Sequence, residues 1–194
     1  MSHEPTDFDT RFDHINVDTV PTPKPDALMF KVTETLVPQG TYEYMTVEGA
    51  HNAPMAEAIL KIGGIELVLI APRFVTVRKE PGMEWKALVP RIKHTMRELI
   101  ASGEMAVLDS EIGAAPRSYS EVEQRIVDLL DSDIRPGIAQ DGGDVTFVGF
   151  VDGIVQLKLI GSCGTCPSSL TTLRMGIERL LREEIPEVQG VEQI

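Results

Sequence analysis

Cysteine is almost absent from this 194-residue chain, which has two, Cys163 and Cys166. Two cysteines without a secretion signal do not make a disulfide framework. Long apolar runs are missing as well, and none approaches the roughly 18 residues of a membrane span. Basic residues are outnumbered, 18 against 30 acidic, for a net charge of −12. From Arg117 onward there are seven basic and thirteen acidic residues, so the acidity is spread over the chain. A protein with no basic stripe or tail is poorly made to neutralise phosphates, which argues against nucleic acid as a partner. The first twenty residues lack the apolar core of a signal peptide. With Glu4, Asp7, Asp9, Asp13 and Asp18 against Arg11 they also lack the basic character of a mitochondrial presequence. The expected compartment is therefore the cytoplasm, and most of the negative charge reads as solvated surface.

What is present, 42% hydrophobic and 25% charged residues, describes an ordinary globular protein of one large or two small domains. Residues 1–20 show no period and read as a mobile tail, followed by a stiff entry with Pro21, Pro23 and Pro25. Strands are expected at 27–33 and 41–46, split by Pro38-Gln39-Gly40. Asn52 is placed to cap a helix running to Ile62. Two more strands follow at 65–70 and 74–79. From Glu84 to Ser102, Trp85, Leu88, Ile92, Met96 and Leu99 recur at helical spacing, and Pro90, which belongs in a first turn, draws the start from Glu84 toward Leu88. Residues 21–102 thus read as a ββαββα domain. Residues 103–118, with Gly113-Ala114-Ala115-Pro116, read as a flexible linker.

In residues 119–194, Ser120 and Glu123 form a capping box for a helix with Val122, Ile126, Leu129 and Leu130 on one face, ended or bent at Pro136-Gly137. Asp141-Gly142-Gly143 reads as a turn and Asp152-Gly153 as a hairpin turn between strands carrying Val145 and Phe147, then Val155, Leu157 and Leu159. A helix from Pro167 to Glu184 follows, with Leu170, Leu173, Ile177, Leu180 and Leu181 as its stripe, and Val188–Ile194 can add a strand. The fold class is α+β, two small two-layer domains of order ββαββα and αββαβ.

Both cysteines lie in Gly161-Ser162-Cys163-Gly164-Thr165-Cys166-Pro167, between a strand pattern and a helix pattern. A free cysteine is often only a small buried hydrophobe, but two at this spacing, flanked by glycines and a helix start, are harder to explain as packing. A helix N-terminus stabilises anions, which lowers thiol pKa and favours a metal–thiolate centre. A structural zinc site wants four protein ligands and an iron–sulfur cluster usually four thiolates. One chain supplies two, and His3, His14, His51 and His94 all lie in the first part. Two chains, each lending Cys163 and Cys166, would close a four-thiolate cage, and a cluster held half by each chain suits delivery. A redox dithiol and a zinc-bridged interaction module remain open alternatives. Asp141 to Asp144 reads as a tight turn rather than a metal site, since carboxylates are poor partners for a thiolate cluster.

Several separated motifs resemble one family. Ile134-Arg135-Pro136, Asp141-Gly142-Gly143-Asp144, Asp152-Gly153, the cysteine stretch through Ser169, Gly176-Ile177-Glu178 and Pro186-Glu187-Val188 resemble the C-terminal domain of NifU and Nfu proteins over about residues 119–194. Thr22-Pro23-Lys24-Pro25, Ala53-Pro54-Met55-Ala56, Phe74-Val75-Thr76-Val77 and the Trp85 helix start resemble, more loosely, the Nfu N-terminal domain. The resemblance implies an iron–sulfur cluster scaffold or carrier and no enzyme. It implies Cys163 and Cys166 as ligands to a 4Fe–4S cluster shared in a homodimer, with a 2Fe–2S form also compatible. Its partners would be an upstream assembly scaffold and apo iron–sulfur clients, met through the N-terminal domain, with no membrane and no nucleic acid.

Overall fold

The computed structural model describes residue 12 and residues 14–108, 119–161 and 167–194. The chain divides into two compact units, Met1–Val20 with Phe30–Ile112 and Pro21–Met29 with Gly113–Ile194. Helices and strands mix in both, an α+β fold with two separate sheets.

The first sheet has five strands in the order β1-β2-β5-β4-β3: β1 (Val17–Pro21), β2 (Ala27–Val32), β3 (Tyr42–Tyr44), β4 (Ile65–Ala71) and β5 (Phe74–Lys79). β4 is apolar at almost every position, and Leu67 through Ala71 are all buried, which is why a continuous run rather than an alternation marks it. It pairs antiparallel with β3 and β5. Helix α1 (Pro54–Leu60) packs on β4 and on α2 (Trp85–Ser102). Met55, Ala56 and Ile59 of α1 and Leu88, Ile92 and Met96 of α2 supply the buried helix faces.

Three features depart from expectation. Residues 17–21, expected as the end of the tail and the first proline of the entry segment, form β1. Helix α2 begins at Trp85, one turn ahead of Leu88, because the Glu84 carbonyl accepts from the amides of Ala87 and Leu88 and so fixes a turn upstream of Pro90. The start of the expected linker is packed. Ala106 and Val107 are buried, Leu108 N–H donates to Asn52 O at 2.8 Å, and Ala106 O accepts from Met55 N–H at 3.4 Å. That carbonyl satisfies an exposed amide of the first turn of α1, whose N-cap, Ala53, has no side chain able to do so.

In the second unit the capping box forms as expected. Ser120 Oγ accepts from Glu123 N–H at 3.3 Å and Glu123 Oε2 from Ser120 N–H at 2.9 Å. Ser120→Ala should cost about 1 kcal/mol, read as a lower urea midpoint by circular dichroism. The box opens α3 (Glu121–Leu129), which passes through a π-helical turn (Leu130–Ile134) into α4 (Arg135–Gln140). Pro136 therefore does not end the helical stretch. Arg135 N–H donates five residues back to Leu130 O, and the proline sits in the first turn of α4, where no amide is needed. Ile126, Leu130, Ile134 and Ile138, spaced by four, all reach the core.

The second sheet has the order β6-β7-β8: β6 (Gly143–Val151), β7 (Ile154–Gly161) and β8 (Gly190–Gln193). β6 and β7 form an antiparallel hairpin with a bulge between Phe147 and Gly149. Its turn, Asp152 (φ 51°) and Gly153 (φ 81°), is left-handed at both residues, the geometry Asp-Gly favours. Val155, Leu157 and Leu159 face the core with Ile177 and Leu181 of α5 (Pro167–Glu184). β8 then runs parallel to β7, Val155 opposite Val191.

Candidate functional site

Cys163 and Cys166 fall in residues 162–166, outside the described residues. The elements on either side are well defined. β7 ends at Gly161, which is buried with φ 76°, a left-handed conformation that disfavours any residue with a Cβ. Gly161 lies opposite Gly143, and Ile160 opposite Asp144. After five intervening residues α5 opens at Pro167. The cysteine segment therefore links the open end of a hairpin strand to the N-terminus of an 18-residue helix, where the helix dipole favours negative charge.

The cysteines follow an antiparallel hairpin, which speaks against a thioredoxin-like setting. Yet β7, α5 and β8 also make a β-α-β unit, because β8 is parallel to β7. The orientation of a four-residue terminal strand is not legible from its sequence.

Beside the end of β7 lies a charge pair that the sequence gives no sign of. Gly142, at φ 73°, makes the tight turn into β6, as expected for Asp141-Gly142-Gly143. Asp144 next to it is buried at 5% exposure. Its Oδ1 lies 2.9 Å from Arg135 Nε and accepts from Val145 N–H at 2.7 Å. The Nε contact is a charge pairing at short range, without the alignment of a hydrogen bond. Arg135 also pairs with Asp131 Oδ1 at 2.7 Å and donates through Nη2 to Val145 O at 2.9 Å. One guanidinium thus ties the helical stretch to the strand whose first residues face the end of β7. His51 Nδ1 sits 3.1 Å from Glu48 O, a local contact beside α1. Among the described residues no three His, Cys, Asp or Glu gather as a metal site, and no helix is long and apolar enough to cross a membrane.

Comparison with known proteins adds what geometry alone does not. The NifU-like domain matches residues 126–192, and the N-terminal domain of the scaffold protein Nfu/NifU matches residues 17–103. The human protein named NFU1 iron-sulfur cluster scaffold homolog, mitochondrial, is 41% identical over 181 residues, spanning 92% of this chain and 71% of its own length. The chain belongs to the Nfu family. The Drosophila erecta protein of the same name is 35% identical over 182 residues, and this Nfu chain spans 64% of it. A NifU-like protein from Saccharomyces cerevisiae, solved in solution, is 22% identical with a TM-score of 0.44, covering 55% of this chain and 92% of that one.

The expected cytoplasmic location is overturned. Relatives of this Nfu chain are mitochondrial by name and point to that compartment instead. The expectation rested on the absence of a targeting pattern in the first twenty residues. A chain that spans 64–71% of these relatives gives that absence no force.

Proposed function

We propose that this chain is an iron–sulfur cluster scaffold and carrier without turnover of its own, which holds a 4Fe–4S cluster between two copies and passes it to apo-proteins. Cys163 and Cys166 of each chain are its thiolate ligands. Residues 119–194 hold the cluster, residues 21–102 recognise the cluster donor and the clients, and residues 103–118 connect them. The observation that carries this reading is the placement of the only two cysteines between glycine-terminated β7 and the N-terminus of α5, in a chain whose relatives are named as iron–sulfur cluster scaffolds. Two thiolates per chain fit a cluster that needs four, and a cage split between chains opens when they separate.

A second reading has one observation in its favour. The cysteine pair stands at the strand-to-helix turn of a β-α-β unit, the setting of a thiol–disulfide redox protein. Anaerobic reconstitution separates the two. Iron and acid-labile sulfide at about two each per chain, eluting as a dimer on gel filtration, is the expected result. A colourless monomer with a reversible Cys163–Cys166 disulfide would replace the scaffold by the redox reading. Zinc at about half an equivalent per chain would indicate a zinc-bridged module.

A further inference from the structure

Between α4 and α5 the second unit carries an open groove of about 360 Å³. Its floor is apolar, with Ile134, Ile138 and Ile177 at 8%, 3% and 2% exposure and half-buried Leu173 beside them. Asp133 and Asp141 also line it, one on each side of Ile134 and Ile138 in the sequence. Gly137 and Gly176 line it from the two helices. Neither glycine has a left-handed backbone, and a Cβ built on either would meet nothing within 4 Å.

That last fact is the informative one. Glycine inside a helix is destabilising relative to alanine. Where packing or a positive φ demands glycine, the cost has a reason within the fold. Here the fold gives none at two facing positions of the same groove. What both glycines do is keep the walls bare, so that something arriving from outside can approach the helix backbones closely.

We propose that this groove docks a short amphipathic helix of a partner protein, with two apolar residues one helical turn apart set between two basic ones. The apolar residues meet the isoleucine floor, and the basic residues meet Asp133 and Asp141. A second copy is the poorer occupant because the chain carries a net charge of −12 and would bring more negative charge to an acidic rim. That the partner receives a cluster rests on the scaffold reading. The docking itself does not, and it is tested on cluster-free protein.

The probe is a synthetic peptide of about 14 residues with leucines at i and i+4 flanked by lysines, and its counterpart with glutamates in place of the lysines. Binding is followed through the amide resonances of the ¹⁵N-labelled full chain. The Gly137 and Gly176 amides should shift saturably with the lysine peptide. The glutamate peptide should bind at least about tenfold more weakly, and added salt should weaken the lysine peptide. The double variant Gly137→Ala, Gly176→Ala should melt a few degrees higher and lose peptide affinity by about tenfold or more, because two methyl groups now fill the approach. Absence of a saturable shift, equal binding of both peptides, or undiminished binding by the alanine variant would each overturn the proposal. So would shifts that grow with protein concentration alone, which would assign the groove to a second copy. Iron loading of the same variant is measured separately, so a failure to hold cluster does not count against the groove.

Discussion

Replacing either Cys163 or Cys166 by serine is expected to take bound iron and sulfide from about two each per chain to background. The size of the effect follows from symmetry. A cage closed by two identical chains receives each substitution twice, so one change per chain removes two of four thiolates. An alkoxide is a far poorer ligand for a soft iron–sulfur centre than a thiolate. Serine is nearly isosteric with cysteine, so the apo-chain should keep its melting midpoint within about 2 °C. Reconstitution, metal and sulfide assay, and gel filtration of the two single variants and the double variant make the test. Loss of cluster with loss of the dimer supports shared ligation. A double variant that still holds iron and sulfide would remove both cysteines from the ligand set. A chelator applied to the loaded wild-type protein should likewise return the dimer to monomers, because only the cluster bridges them in this reading.

Much of the fold is legible in the sequence where a single physical cause dominates. β4 announces itself because burial leaves no polar position in Leu67–Ala71. The Ser120–Glu123 box and the Asp152-Gly153 turn are short-range devices whose residues and geometry coincide. Helix α5 begins at Pro167 and ends at Glu184, two residues short of Pro186, as those prolines place it. The misses have physical causes too. β1 holds Asp18 and Thr19 and only one fully buried residue, Val17. It is the edge of its sheet, pairing on one side, and needs no apolar alternation. The π-helical turn hides behind Pro136, since a proline ordinarily stops a helix unless a wider turn frees its neighbours from needing its amide. Segment 104–108 looks like linker by composition yet is docked through two backbone hydrogen bonds, a kind of bond no side-chain pattern records. At the site, the pair of cysteines and the glycines around them could be picked out directly. The Arg135–Asp144 contact could not, because it joins residues nine apart through the fold of a turn.

That contact supports the second large effect. Arg135→Ala is expected to cost about 2–3 kcal/mol, more than Asp144→Ala at about 1 kcal/mol, although both remove the same ion pair. The asymmetry comes from where each charge lies. Asp144 has 7% side-chain exposure and Arg135 39%. Without the arginine, a buried carboxylate loses the guanidinium 2.9 Å from its Oδ1 while keeping the Val145 amide at 2.7 Å. Without the aspartate, the arginine still reaches Asp131 and Val145 O and is partly hydrated. Solvent around the half-exposed Arg135 keeps the cost below that of stranding a charge in a fully enclosed pair. The double variant Arg135→Ala, Asp144→Ala should then be more stable than Arg135→Ala alone, since removing a buried carboxylate that has lost its guanidinium relieves the larger cost. Urea unfolding followed by far-ultraviolet circular dichroism reads both units together, so the part of the change that tryptophan fluorescence does not share belongs to the second unit. Fluorescence of Trp85, the chain's single tryptophan and a residue of the first unit, should be unmoved and serves as the internal control. If the two single variants lose equal stability and the double loses their sum, the residues act independently and the clasp beside the end of β7 is no clasp. If Arg135→Ala alone is the outlier, the arginine is there to neutralise Asp144, the residue opposite Ile160 one step before Gly161 and the cysteines begin.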